Sequence, residues 1–141
     1  DTGVLNVIVE GREAPSLAME SLEKLASLDI HTIYPGHGSI IHDPERAIKK
    51  CKRRLEEFMK NPIKLGQDHL KKILVWSLLM KKGYPKDDFF DYLMTTHWFK
   101  AVVDSYFEAK YREKFNELIE EFLERNIVII KDGYYHTTVQ P

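Results

Sequence analysis

The residues best suited to chemistry are His37, set in Tyr34-Pro35-Gly36-His37-Gly38, and the carboxylate of Asp1. The run Ile30-His31-Thr32-Ile33-Tyr34 reads as a buried strand that stops at a Pro-Gly turn carrying the histidine. A loop at a strand end holds an imidazole rigidly while leaving it open to solvent, which is what a metal ligand needs. The partners of such a ligand are scarce. The six histidines stand at 31, 37, 42, 69, 97 and 136, and no two of them are two residues apart. His42 and Asp43 offer a second weak cluster near His37, but Asp43 also precedes Pro44 and reads as a helix cap. His31 is expected to pack inside its strand. His69, His97 and His136 lack spaced partners and are assigned no chemistry. Cys51 falls on the apolar face of a helix and reads as a small core residue rather than a nucleophile.

The elements that would position these residues follow from pattern. Val4-Leu5-Asn6-Val7-Ile8-Val9 is apolar and β-branched, as in a strand or extended segment. Pro15 suits the first turn of a helix whose inward side carries Ala18, Leu22, Leu25 and Ala26. Asp43-Pro44 opens a second helix, with Ile48, Cys51, Leu55 and Phe58 on one face at spacings of three, four and three. Its opposite face holds Lys49, Lys50, Lys52, Arg53 and Arg54, either a solvated surface or a patch that faces phosphates. Asn61-Pro62 ends that helix and marks the expected domain boundary, dividing 1–61 from 62–141.

Beyond the boundary, residues 68–82 predict a strongly apolar helix closed by Gly83, and residues 86–93 a short one with Phe89, Phe90 and Leu93 inward. Residues 98–125 predict one long helix or two with a bend. Asp132-Gly133 between two β-branched and aromatic runs is a strong hairpin signal. Helices followed by a hairpin predict a winged helix-like domain. From Glu108 to Arg125 four basic residues face six acidic ones, a balance of −2. A duplex-reading helix carries a basic excess, so packing or dimerisation is the expected role. The fold class expected from these elements is α+β and mostly helical.

Composition limits the function. The chain has 141 residues, 43% hydrophobic and 30% charged, in the range of soluble globular domains. A net charge of −1 provides no global field for nucleic acid or anionic membrane. One cysteine excludes an internal disulfide and fits a reducing compartment, so a cytoplasmic location is expected. No signal peptide and no apolar run of about 18 residues is present, so no membrane association is expected. The absence of an initiator methionine before Asp1 reads as a fragment or a processed product.

The stretch from Asp1 to about Lys60 resembles the last part of a metallo-β-lactamase-fold hydrolase of the glyoxalase II-like type. The matching features are the aspartate, Ser21-Leu22-Glu23-Lys24-Leu25, and Ile33-Tyr34-Pro35-Gly36-His37-Gly38. The C-terminal part is similar to that of the β-lactamase-like endoribonuclease branch, which carries a winged helix-like tail. The resemblance implies that residues 1–61 are the C-terminal edge of the hydrolase fold, a short strand–helix–strand remnant. It also implies that Asp1 matches the aspartate that bridges two metal ions and His37 the histidine that binds the second. Two divalent ions, zinc foremost, would activate a shared water in the complete enzyme to hydrolyse an ester, thioester or phosphodiester. The family's His-x-His-x-Asp-His motif is absent here. Two ligands do not complete a four-coordinate site. The expectation is therefore an isolated chain that is inactive and binds no metal. Its partner would be the missing N-terminal hydrolase portion, or a second copy in a homodimer that covers the exposed sheet edge of residues 1–34. The rival expectation is a non-catalytic winged-helix interaction module that binds a protein partner, RNA or DNA.

Overall fold

The computed structural model describes residues 8–11, 13–36 and 38–140. Among these, six helices and one three-stranded antiparallel sheet make the fold α+β and mostly helical. The chain separates into two compact units, Asp1–Lys64 and Leu65–Pro141, divided within the first turn of the third helix.

In the first unit, helix α1 (Ala14–Ala26) packs on helix α2 (Pro44–Lys60). Pro15 stands in the first turn of α1, where its missing N–H costs nothing. Helix α2 begins as its sequence dictates. The Asp43 carboxylate accepts the Arg46 N–H at 3.0 Å, and Pro44 occupies N1. Ile48, Leu55 and Phe58 are buried along one side, while Cys51 is half-buried.

The strands expected in this unit do not form among the described residues. Ile8, Val9 and Glu10 lie in a turn and bend, and residues 4–7 of that expected strand lie outside the described residues. The run 30–34 contributes a single antiparallel bridge, Ile33 to Ile41, in place of a strand. His31 is exposed rather than packed, with its Nε2 3.8 Å from Asp29. The physical reason is local. A β-branched run becomes a buried strand only where neighbours satisfy its hydrogen bonds on both sides, and here one bridge partner is present.

In the second unit, α3 (Pro62–Lys81) starts six residues earlier than its apolar periodicity predicts, because Pro62 is a good first-turn residue. It ends where Gly83 N–H bonds back to Leu78 O at 3.0 Å. Lys82 there is left-handed (φ 58°) as well as Gly83 (φ 107°). Strand β1 (Tyr84–Pro85) follows, then α4 (Phe89–Thr95). The expected long helix is two, α5 (His97–Tyr106) and α6 (Tyr111–Glu124). They are broken at Glu108 and Ala109, which are consecutive left-handed residues. Strands β2 (Val128–Lys131) and β3 (Tyr134–Thr137) form the hairpin across Asp132-Gly133, both at positive φ as a type I′ turn requires.

Strand order is β1-β3-β2. Strand β1 pairs Tyr84 with Tyr135 and Pro85 with Tyr134, so the hairpin is tied to the α3–α4 connection. Phe89, Leu93, Phe99, Val102 and Val128 are fully buried between these helices and the sheet. Each such side chain contributes about 1.5–3 kcal/mol through burial.

Candidate functional site

The described part of the histidine loop is held at its base. Ile33 and Ile41 exchange two backbone hydrogen bonds, each 3.0 Å, closing the segment 34–40. Tyr34 on this segment is 77% exposed. Asp1 and His37, the two ligands implied by resemblance, lie outside the described residues. His42 is exposed, and the adjacent Asp43 carboxylate caps α2 by accepting the Arg46 N–H; the His37 that would complete this second cluster lies outside the described residues. No group of three or more His, Cys, Asp or Glu side chains could hold a metal ion among the described residues. His97 is exposed and His69 is fully buried on α3. His136 is half-buried, its imidazole packed over Gly83.

Two cavities are candidates for ligand binding, one in each unit. In the first unit a cavity of about 500 Å³ lies between the end of α1 and the start of α2. Leu25, Leu28, Ile30 and Ile48 form its apolar walls, with Lys49 and Lys52 beside Asp29 and Glu45. In the second unit a groove of about 420 Å³ runs along α3 and α6. Val75, Trp76, Leu79, Ile127 and Val139 line it, and Trp76 is 54% exposed. The cations on its rim are already engaged. Lys71 reaches Glu121 at 2.6 Å, Arg125 reaches the same carboxylate at 2.9 Å, and Lys72 reaches Asp68 at 3.3 Å. The hydrogen bond from Lys71, ahead of that from Arg125, holds the Glu121 carboxyl below its usual value.

Aromatic residues of the second unit pack against one another. Tyr84 stacks on Tyr92 at 4.8 Å, Phe89 meets Phe115 edge-on at 6.1 Å, and Arg112 lies 3.4 Å over the Phe90 ring. Burial pushes the Tyr135 phenol up, with Asp87 adding to the shift. Helix α6 carries five carboxylates against Arg112 and Lys114, and Lys114 is paired with Glu117.

The short β1 strand, the groove and the close contact of Gly83 with His136 escape sequence reasoning. A two-residue strand has no readable period, and the other two arise from residues more than 40 positions apart. The Gly83-Tyr84-Pro85 triplet was the signal available for β1, as a punctuated extended dipeptide. No helix among the described residues is long and apolar enough to cross a membrane. No family model matches this chain, and neither the curated proteins nor the solved structures contain a match to it.

Proposed function

We propose that this chain is the C-terminal region of a metal-dependent hydrolase of the metallo-β-lactamase superfamily, acting on an ester, thioester or phosphodiester. The observation that carries the reading is the Ile33–Ile41 bridge, which fastens the base of the Pro-Gly-His-Gly segment and would let an imidazole there be aimed. The Leu22-containing helix α1 precedes that segment, as the resemblance requires.

In this reading Asp1 and His37 alone would leave the metal site incomplete. Asp1 and His37 are two donors, a structural or catalytic zinc takes at least three from protein, and no further group of ligands stands among the described residues. No reaction step is assigned to residues here.

The second unit has the order helix, strand, helix, helix, helix, hairpin, with the first strand added beside the hairpin as β1-β3-β2. This arrangement supports a winged helix-like module with one extra helix. Its acidic α6 favours a protein interface over duplex reading.

Zinc titration of the chain extended upstream through the missing hydrolase portion, with and without His37→Ala, tests the reading. Two bound ions per chain, reduced by the substitution together with hydrolytic activity, are expected. Equal stoichiometry and equal activity in both would refute it.

A further inference from the structure

The groove along α3 and α6 is apolar on its walls and cationic at one end. Its volume of about 420 Å³ falls in the range of small-molecule sites, roughly 300–1,000 Å³. Val75, Trp76 and Leu79 of α3 line it together with Phe122, Ile127 and Val139. Trp76 is 54% exposed and Val139 43%. A tryptophan left half in water forgoes part of the stabilisation that burial brings, and an apolar ligand laid on it recovers that part.

Among the described residues, every charged side chain in the lining is a cation: Lys71, Lys72 and Arg125. Their carboxylate partners, Glu121 and Asp68, do not line the groove. One oxygen of Glu121 accepts from both Lys71 and Arg125, so a single negative charge answers two positive ones. That shared oxygen also brings Lys71 Nζ and Arg125 Nη1 side by side, and Lys72 adjoins Lys71 in the chain. The rise of the helix sets Leu79 about 12 Å along α3 from Lys71. The groove therefore leads from clustered cations to a purely apolar stretch. The ion pairs at its cationic end are partly exposed, and pairs of that kind are weak enough for their cations to turn toward an incoming anion.

We propose that this groove binds an aliphatic carboxylate. The alkyl chain lies along Val75, Trp76 and Leu79, and the carboxylate meets Lys71 and Arg125. A cationic amphiphile has no counterpart here, because no carboxylate lines the groove. A compact anion without an apolar body would leave Trp76 and Val139 in water. The inference does not rest on the metal-hydrolase reading, and its failure would leave that reading standing.

NMR of the full, isotope-labelled chain with added decanoate tests it. Trp76 and Trp98 are the two tryptophans, and Trp98→Phe identifies their indole signals. Trp98 does not line the groove, so its signal in the unsubstituted chain is an internal control. Decanoate should move the Trp76 signal saturably, with a Kd below about 1 mM, and leave Trp98 in place. Decylammonium has the same chain length and the opposite charge. It should bind at least about tenfold more weakly, and acetate should leave the signal where it is. Arg125→Gln should weaken decanoate about tenfold. Val139→Asp puts a carboxylate into the lining and should weaken it as much, whereas Val139→Asn should cost less. Residues 125 and 139 are both exposed, and circular dichroism confirms the fold of each variant. The proposal is overturned by the absence of a saturable shift at Trp76, by equal binding of decylammonium or by Trp98 moving along with Trp76. Full decanoate affinity in both charge variants overturns it as well. So does a Trp76 signal that moves with protein concentration alone, which would assign the groove to a second copy of the chain.

Discussion

Ile33 and Ile41 exchange both of their backbone hydrogen bonds at 3.0 Å, and this pair is the only β-pairing in the first unit among the described residues. The bridge closes the connection that carries the described residues 34–36 and 38–40. Ile41→Pro removes one donor and bars the pairing geometry. Each lost hydrogen bond is worth about 1 kcal/mol. The expected result is faster hydrogen exchange at the Ile33 amide, roughly tenfold or more, with the hairpin amides of Ile129 and Lys131 unchanged. Unaltered exchange at Ile33 would show that the bridge does not hold the segment.

Gly66 opposes two expectations against each other. It lies inside α3, where Ala is favoured over Gly by about 1 kcal/mol. A Cβ at this position, however, would lie 2.7 Å from Cγ and 2.9 Å from Cβ of Tyr106. Those atoms are the root of a side chain on α5, so relief requires moving backbone rather than a flexible tip. Overpacking of this kind costs about 1–3 kcal/mol and outweighs the propensity gain. Gly66→Ala is therefore expected to lower stability in urea denaturation. In a Tyr106→Gly background, which removes both Cγ and Cβ, the added penalty of Gly66→Ala should disappear, and a penalty that persists would remove the steric explanation.

Gly83 makes the opposite kind of contact. Its added Cβ would meet the outer ring atoms of His136, Cε1 at 2.5 Å and Nδ1 at 2.6 Å, and these can swing aside. The lasting cost is the left-handed backbone, about 1–2 kcal/mol for an L-residue. Gly83→Ala should thus destabilise by about that amount whether residue 136 is His or Ala. NMR should show the His136 ring signals displaced in the variant. A cost that vanishes in His136→Ala would mean that the ring contact, not the backbone, dominates.

What the sequence revealed depended on whether the determining physics was local. Asp43-Pro44 and Asp132-Gly133 dictate their structures through neighbouring atoms alone, and α2 and the hairpin begin and turn where those residues stand. The apolar faces of α3 and α6 were legible through period. The strand at 30–34 was not, because its β-branched residues state a preference that only a partner strand can satisfy. The break between α5 and α6 falls at Glu108 and Ala109, neither a helix breaker, where the chain turns after burying Phe107. For the site, Asp1 and His37 were named only through the resemblance, and both lie outside the described residues. The cationic row on α2 was visible as composition.

Glu121 couples α3 to α6 through Lys71 and holds Arg125 one turn further along its own helix. The folded-state carboxyl titrates below the ordinary glutamate range, chiefly through the Lys71 hydrogen bond. A lowered folded value means that the stabilisation is fully present above the unfolded value and is lost as pH falls through the folded one. The group is about one-third exposed, so solvent screening limits the two ion pairs to about 0.5–1 kcal/mol together. Glu121→Gln keeps the shape and removes the charge. The variant should be less stable by that amount at pH 7 in urea denaturation, and the gap should close between about pH 5 and pH 3 as wild type loses its own charge. About 0.5 M salt at pH 7 should narrow the gap as well. A gap that stays constant down to pH 3 would show that packing of the side chain, rather than its charge, joins the two helices.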